Sequence, residues 1–443
     1  MLDLLAHFTD QLDALPPTRR YWIAFSGGLD SSVLLHLLSR LPHLPAERAA
    51  LHIHHGIHPD ADEWAAESQR RACALGIDCQ IRRVSLPQQS GESLEALARE
   101  ARYRALGELL APGEIVLTAQ HADDQAETLL LQLLRGSGPQ GLAAMPLLTP
   151  LARGWLARPL LACSQAELLA YAEAEGLRWI EDSSNRDLRF DRNFLRHQVI
   201  PLLRQRYPGL PHTLSRSARH CAEATSLLKQ LAQQDLEACR AGERLRIEAL
   251  EQLTVARQRN LLRHWIASRN LPLPGHRGLQ RILDEVLCAH PHRDPLVRWA
   301  GGEVRRFRQW LYAFPPLPSA VPYRLPWNGE ERLALPHGMG HLSLRRAPGG
   351  IDPRQWQAAR IEVRSRRGGE RCRPPGDLHH RPLKQLYQEW AVPPWERPLI
   401  PLLYLNDQLA AIAGYWVCSE FSTGDQEPGL IPCWKRLLDE APE

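Results

Sequence analysis

Short apolar runs alternate with amphipathic stretches through the first part of the chain. Four apolar runs are typical of buried strands: residues 21–25, 50–54, 77–84 and 115–119. Amphipathic stretches with apolar positions at helical spacing predict helices: residues 29–40, 62–75, 93–110 and 123–134. Because this alternation places helices on both faces of a parallel sheet, we predict a doubly wound, Rossmann-like α/β domain.

The pattern changes further along the chain. We expect helices at 164–175 and 192–206 and a first domain that spans residues 1–210. A small helical middle domain at 211–325 would contain three helices within 214–288 and a hairpin at 296–313 that turns at Gly301-Gly302.

The segment 315–326 contains five prolines and predicts a stiff linker, since proline cannot occupy a central strand. A mixed α+β domain at 332–443 follows it.

Composition favours a multidomain globular protein, and the N-terminal segment and cysteine usage favour the cytoplasm. The chain has 443 residues, 44% of them hydrophobic and 23% charged, which is more than one core usually organises. No apolar run approaches the roughly 20 residues of a membrane span. The N-terminal segment is acidic, unlike a secretory signal. The nine cysteines include no C-x-x-C pair, which argues against a zinc ribbon or a cysteine-held iron–sulfur cluster.

Arginine supplies 51 of the 54 basic residues, and no lysine occurs before Lys229. A Walker-A P-loop or a Schiff-base site in the first half is therefore excluded, because both require a lysine.

A glycine-rich turn follows the first predicted strand and opens the next helix. It consists of Ser26, Gly27, Gly28, Leu29, Asp30, Ser31 and Ser32. Glycines allow a phosphate to approach the backbone, and a helix N-terminus attracts anions. A carboxylate beside phosphates is favourable only with a cation, so Asp30 predicts a Mg²⁺ ligand. The alternative is a tight turn in which Asp30 or Ser31 caps the helix.

A second polar cluster, His121 to Thr128, follows the strand at 115–119. Asp124 and Glu127 lie one turn apart at the edge where α/β sheets bind ligands, and this pair would suit a cationic substrate. The alternative is that Asp124 and Glu127 form a capping box.

Histidines cluster at His52, His54, His55 and His58, a pattern that could belong to a metallohydrolase. Strand geometry opposes this hypothesis, because His54 and His55 should face opposite sides of the sheet. We expect instead that the strand end near His54 packs against a ligand bound at the glycine-rich turn.

Two arginine-rich segments suggest a nucleic acid partner. Residues 186–220 carry eight arginines against two acidic residues, and residues 344–373 carry nine against three. Such clusters suit a phosphate backbone, although a charge run can also be only a solvated face.

These motifs resemble known families. The segment 26–31 matches the S-G-G-x-D-S motif of the PP-loop ATP pyrophosphatases, which cleave ATP between its α and β phosphates. The segments 118–128 and 135–142 are similar to the tRNA(Ile)-lysidine synthetase family, as are 52–56, 95–103, 181–185, 192–196, 366–371, 383–384 and 395–401. One departure is Gln120, where that family usually has histidine.

The resemblance implies an ATP-dependent ligase that joins free L-lysine to the wobble cytidine of a minor isoleucine tRNA. ATP would adenylate the ring carbonyl oxygen, and the ε-amine of lysine would then expel AMP. Asp124 and Glu127 would hold lysine, and Gly136, Gly138 and Arg102 would contact the nucleotide. No motif identifies the base that deprotonates lysine. A homodimer is compatible with these features.

Other functions remain as alternatives. A cytidine thiolase or an amidating synthetase would share the phosphate turn, but the chain has no C-x-x-C pair and no evident ammonia source. Gly136 could also be only a left-handed helix cap. A catalytically dead tRNA-binding protein would have lost Asp30 or the acidic pair, and all three residues are present.

Overall fold

The computed structural model describes residues 3–56, 59–85, 94–181, 187–290, 293–423 and 427–436, without the side chains of 94–96. His58 and residues 182–185, which were singled out in the sequence, lie outside this part of the chain. Two compact units, Met1–Leu228 and Lys229–Glu443, divide the chain. The domain limits that we expect at 210/211 and 325/332 stay predictions.

A six-stranded sheet forms the centre of the first unit. Its strands are β1 (Arg20–Ala24), β2 (Glu47–His54), β3 (Asp78–Arg83), β4 (Ile115–Leu117), β5 (Leu148–Leu151) and β6 (Gly154–Ala157). The order is β3-β2-β1-β4-β6-β5, and every pairing is parallel except that of the edge strand β5 with β6. The predicted doubly wound parallel sheet is confirmed, with one antiparallel edge strand that the pattern did not reveal.

Helices surround this sheet. They are α1 (Leu4–Asp13), α2 (Leu29–Ser39), α3 (Ala61–Ala74), α4 (Leu94–Leu109), α5 (Ala122–Leu134), α6 (Pro139–Leu142), α7 (Gln165–Ala174), α8 (Asp191–Phe194), a π-helical turn (Leu195–Val199) and α9 (Ile200–Arg206).

The two faces of the sheet contribute to separate cores. In β1, Tyr21 and Ile23 pack in the core that contains α2, whereas Trp22 faces the core that contains Leu106 of α4. This alternation follows from the two-residue period of a strand. β1 is therefore covered on both faces, as its continuous apolar run predicts.

Strand β1 lies at the switch point of the sheet. The chain leaves β1 towards β2 and β3 on one side and returns to β4 on the other side. In open α/β sheets, ligands bind beside the carboxyl ends of the strands at such a switch point. The two turns that carry the polar motifs follow β1 and β4, so the fold brings them together.

Helix α10 (Leu210–Cys239) leads into the second unit, which contains three sheets of three or more strands. The first is antiparallel: β7 (Arg240–Ala241), β8 (Arg244–Arg246), β9 (Leu296–Trp299), β10 (Gly302–Phe307) and β11 (Trp310–Phe314). Its helices are α11 (Ile247–Glu251), α12 (Val255–Ser268), α13 (His276–Arg281) and a π-helical turn (Ile282–Leu287).

The remaining sheets lie in the C-terminal part. One contains β12 (Arg324–Pro326), β15 (Ile361–Arg364), β18 (Leu402–Leu405), β19 (Gln408–Ile412) and β20 (Trp416–Val417). Another contains β13 (Leu333–Ala334), β14 (His341–Pro348) and β21 (Pro428–Lys435), and β16 (Arg371–Cys372) pairs with β17 (Arg381–Pro382). The helices here are α14 (Pro353–Ala358) and α15 (Leu383–Glu389), with a 3₁₀ turn at Pro336–Gly338.

Two predictions for the second unit need correction. The expected hairpin at 296–313 is a three-stranded meander, β9-β10-β11, and it joins a sheet that the sequence pattern did not indicate. The expected proline linker ends in β12, which lies at a sheet edge where proline is tolerated. Among the described residues, no helix is long and apolar enough to cross a membrane.

Candidate active site

The turn after β1 has the geometry of a phosphate cradle. Gly27 has a φ of +84°, and Gly28 is the N-cap of α2 without a capping side chain. The Ser31 hydroxyl donates to the carbonyl of Gly28 at 3.0 Å and lies 3.1 Å from the Ser26 hydroxyl. Because the first N–H groups of a helix have no intrahelical acceptor, they are available to an anion at this turn.

Only glycine fits at position 27. A Cβ there would lie 2.7 Å from Oγ of Ser68 and 2.9 Å from Cδ1 of Ile180. The N–H of Ile180 also donates to the carbonyl of Gly27 at 2.9 Å. The turn is therefore held from the far side by α3 and by the segment after α7.

Asp30 does not cap α2. Its Oδ1 atom is buried and has no hydrogen-bond partner among the described residues, and its Oδ2 lies 3.5 Å from Nε2 of His121. The capping alternative for Asp30 and Ser31 is therefore wrong, since Gly28 occupies the cap position. An orphaned carboxylate oxygen beside a phosphate cradle fits a hard cation such as Mg²⁺.

The start of α5 is capped by His121. Its Nδ1 accepts the N–H of Asp123 at 3.3 Å, and Oδ2 of Asp124 accepts the N–H of His121 at 3.2 Å. The capping box consists of His121 and Asp124, rather than Asp124 and Glu127 as the alternative supposed. Glu127 lies one turn further into the helix and has no role in the cap.

The acidic pair holds two arginines from α8 and the π-helical turn. Nε of Arg192 lies 2.6 Å from Oε2 of Glu127, and its Nη2 lies 2.9 Å from Oδ1 of Asp124. Arg196 makes matching contacts, 2.5 Å from Oε1 of Glu127 and 3.0 Å from Oδ1 of Asp124. In this arrangement the protein's own guanidiniums pair with both carboxylates, and the binding of a cationic substrate by the acidic pair stays a prediction.

His121 links the two motifs. Its Nε2 lies 3.4 Å from Oδ2 of Asp124 and 3.5 Å from Oδ2 of Asp30. Burial disfavours the charged imidazole, but the carboxylates of Asp124 and Asp30 outweigh burial and raise the pKa of His121. Burial likewise opposes the charge of Asp124, yet His121 and the two arginines lower its pKa. The site is a connected network of charges.

The histidines at the end of β2 do not form a metal site. Nδ1 of His52 lies 3.0 Å from the carbonyl of Phe25, and Nε2 of His54 lies 3.2 Å from Oδ1 of Asp62. Burial, followed by the positive charge of Arg102, lowers the pKa of His55 to about 4, so this ring is neutral at physiological pH. The described residues contain no group of three or more potential ligands, so a metallohydrolase is not supported.

The other residues predicted to contact the nucleotide are His54, Arg102, Gly136 and Gly138. His54 ends β2, and exposed Arg102 on α4 is close enough to influence His55. Gly136 has a φ of +69° directly after the end of α5, which confirms the predicted left-handed cap. Gly138 is the N-cap of α6. Their contacts with a nucleotide remain predictions.

Sequence reasoning missed the partners of the acidic pair. Arg192 and Arg196 stood in a segment that resembles the family, but we assigned them no role, and His121 appeared only as part of a motif. Charge complementarity was the available signal, since two buried carboxylates one turn apart require cations nearby. The two arginines are four positions apart and the two acids three, so each pair lies about one helical turn apart.

Known proteins match nearly the whole chain. Family profiles described as the PP-loop domain, the TilS substrate binding domain and the TilS substrate C-terminal domain match residues 4–203, 245–312 and 361–434. The tRNA(Ile)-lysidine synthase of Methylococcus capsulatus is 44% identical over 427 residues, covering 95% of this chain and 97% of that protein. Those of Coxiella burnetii (43%, covering 94% of each chain) and Vibrio cholerae (42%, covering 100% of each chain) are similar. The chain therefore belongs to the tRNA(Ile)-lysidine synthase family.

Proposed function

We propose that this protein joins the ε-amine of free L-lysine to the wobble cytidine of a minor isoleucine tRNA, with ATP converted to AMP and pyrophosphate. The observation that carries this proposal is the contact of two motifs at the switch point, where His121 lies between Asp30 and Asp124. An ATP-binding turn and a buried acid–base network share one crevice. ATP use and a tRNA substrate follow from the family.

Activation by ATP is needed because the ring carbonyl of cytosine lacks a leaving group. The carbonyl oxygen attacks the α-phosphorus of ATP, and pyrophosphate leaves. The lysine amine then adds to the ring carbon and loses a proton, and AMP departs with the former carbonyl oxygen. This sequence needs no covalent bond to the protein, so the protein's task is to bind, orient and stabilise charge.

We assign ATP to the turn formed by residues 26–32. The backbone N–H groups and serine hydroxyls would hold the phosphates, and the orphaned oxygen of Asp30 would hold Mg²⁺. When bound, Mg²⁺ supplies charge neutralisation on the departing pyrophosphate. His54 at the end of β2 would pack against adenine, and Arg102 and the Gly136–Gly138 turn would contact the nucleotide.

The lysine site requires a rearrangement of the charge network. Asp124 and Glu127 are each paired with Arg192 and Arg196, so the lysine ammonium competes with guanidiniums for these carboxylates. We propose that lysine displaces one arginine, which then becomes available to the phosphates or to the carboxylate of lysine. Lysine binding would in this way be coupled to the arrangement of cations around ATP.

Oxygen labelling tests the adenylated intermediate. A tRNA with ¹⁸O in the carbonyl of the wobble cytidine is incubated with ATP, lysine and the enzyme. Mass spectrometry should find the label in AMP, because AMP leaves with the ring oxygen. Unlabelled AMP alongside modified tRNA would exclude this intermediate. The homodimer and the cytoplasmic location stay predictions from the sequence.

A further inference from the structure

Three arginines of the second unit converge on α15 and the loop that follows it. Arg308, in the turn between β10 and β11, donates from Nη2 to the carbonyl of Gln388 at 2.8 Å. Arg397 donates from Nε to the carbonyl of Val392 at 2.9 Å. These bonds fix each side chain by one nitrogen and leave other N–H groups of the guanidinium for a further partner.

The third arginine lies over a buried tyrosine. The guanidinium carbon of Arg366 is 5.6 Å from the ring centre of Tyr387, which is 0% exposed. Nε of Arg366 and the hydroxyl of Tyr387 are both buried, and both have no hydrogen-bond partner among the described residues. Oε2 of Glu370 is likewise buried without a hydrogen-bond partner among the described residues, so two unpaired donors and one unpaired acceptor lie close together. Buried polar groups are almost always paired, so this place can accept a further polar group.

The nearest carboxylate to this cluster is that of Glu370, which forms an ion pair with Arg366. Oε2 of Glu370 lies 3.6 Å from Nε of Arg366, beyond hydrogen-bonding distance, while Oε1 accepts the N–H of Arg367 at 2.5 Å. Burial lowers the pKa of Arg397, the charges of Arg366 and Arg308 lower it further, and Tyr387 and Asp294 oppose them. Like charges are therefore held close together without an equal number of acids.

We propose that Arg308, Arg366 and Arg397, together with the hydroxyl of Tyr387, bind a phosphoryl group. A phosphate offers only acceptor oxygens and carries one negative charge as a diester in tRNA, or about two as free phosphate, and these match unpaired donors and excess guanidiniums. In the complete reaction this group is a phosphate of the tRNA, and that identification rests on the proposed function. Free phosphate or pyrophosphate shares the same chemistry and is the other source.

The surroundings of the three arginines favour tRNA over free phosphate. Exposed Lys384 follows Leu383, whose N–H donates to the carbonyl of Glu370 at 2.8 Å, so another cation borders the cluster. Gly368 and Gly369 both have positive φ, and open space surrounds their Cα atoms. A long polyanion could therefore approach the loop and also reach neighbouring cations.

A matched pair of variants tests the site. Arg397→Gln and Arg397→Lys both lose the bond to Val392, but only the first loses the charge; Arg277→Gln, on exposed α13, is the control. We expect tRNA to bind Arg397→Gln roughly tenfold more weakly, with a salt slope about one unit smaller. Arg397→Lys should keep the slope and Arg277→Gln should change nothing. The KM for ATP and kcat at saturating tRNA should stay unchanged.

Thermal unfolding in inorganic phosphate, compared with chloride at equal ionic strength, distinguishes free phosphate from a phosphate of tRNA as the ligand. Phosphate should stabilise the wild type and Arg397→Lys but not Arg397→Gln. If phosphate protection is lost while the tRNA slope is unchanged, the site stands and takes free phosphate. If neither measurement distinguishes Arg397→Gln from Arg277→Gln, the proposal is overturned.

Two further results keep the proposal open to test. If Arg397→Gln fails to fold, Arg308→Gln replaces it, since Arg308 is exposed and its loss leaves the tyrosine covered. Failure of the wild type to modify tRNA, with phosphate protection intact, would count against the proposed function and not against this site.

Discussion

Arg192 and Glu127 form an ion pair in the candidate active site. Nε of Arg192 lies 2.6 Å from Oε2 of Glu127, whose side chain is 2% exposed. The two residues are 65 positions apart in the sequence. Arg196 and Asp124 extend the pair into a four-residue network. Protein cations thus pair with the two carboxylates that we propose for lysine.

We expect Glu127→Gln to raise the KM for lysine much more than that for ATP. Neutralising the carboxylate removes a charge-assisted contact worth about 1.5–3 kcal/mol, or roughly one to two powers of ten in affinity. The variant should also lower the free energy of unfolding by about 2 kcal/mol, since a buried pair is broken but the guanidiniums still reach solvent. Steady-state kinetics and chemical denaturation measure the two effects.

A double-mutant cycle with Arg192→Gln controls this experiment. The two substitutions should be non-additive in stability by about 1 kcal/mol or more, because the residues are in contact. Additive stability effects with an unchanged KM for lysine would show that Glu127 neither pairs with Arg192 nor binds lysine.

Asp30→Asn should abolish pyrophosphate release and leave the fold intact. The carboxylate is not a cap of α2, and its Oδ1 has no partner among the described residues, so little structural stabilisation is lost. Pyrophosphate release and the melting temperature are measured together. A variant that keeps its activity would remove Asp30 from the proposed metal site, and one that unfolds would show a structural role instead.

Gly27→Ala and Gly28→Ala form a matched comparison for the cradle. Alanine at 27 must adopt a φ of +84°, at a cost of about 1–2 kcal/mol before its clash with Ser68 and Ile180. At position 28 the backbone is extended and the nearest atom to a new Cβ is 3.6 Å away. We expect Gly27→Ala to be less stable and to lose ATP binding, and Gly28→Ala to fold normally. Equal melting temperatures would contradict the geometry.

The arginines at 344–373 include exposed residues and mostly buried residues that pair with acids. Arg364 is 14% exposed and pairs with Glu362 at 2.5 Å, whereas Arg345 is exposed on β14. Arg364→Gln should therefore lower stability, and Arg345→Gln should weaken tRNA binding and reduce its salt slope by roughly one unit without changing ATP affinity. A slope that is equal in the wild type and Arg345→Gln would make this residue part of a solvated face.

A truncation near residue 316 is a poorer test of the same segment. The ring of Trp395 lies 5.3 Å from that of Tyr312 and 6.0 Å from that of Phe307. Removing the C-terminal part would expose these aromatic residues of the first antiparallel sheet, so a loss of tRNA binding would be confounded with a loss of folding.

The first unit was predictable because its signals are local. Strand β1 and helix α2 carry long apolar runs, and Gly27 marks a backbone conformation that other residues avoid. The resemblance to the family then supplied the roles that we propose for Asp30 and for the acidic pair. Edge strand β5 was not predicted from the sequence. Its residues are only partly buried, and its formation depends on pairing with β6.

The remaining errors concern contacts between distant residues. The spacing of residues 296–313 does not indicate that β11 pairs with β8. This pairing joins segments that are far apart in the sequence. Likewise the contacts of Asp124 and Glu127 with Arg192 were missed, because sequence alone does not place Arg192 beside them. The tertiary fold determines which distant charges pair, and local periodicity does not predict such pairs.

The most direct test of the central claim is the amino-acid dependence of AMP formation with the minor isoleucine tRNA present. Each amino acid is supplied in turn with ATP and Mg²⁺, and AMP, ADP and modified cytidine are quantified by chromatography. We predict that lysine alone drives continued AMP release, with one AMP formed for each lysine attached to tRNA. ADP and phosphate as products, or AMP release that does not depend on lysine, would contradict the account.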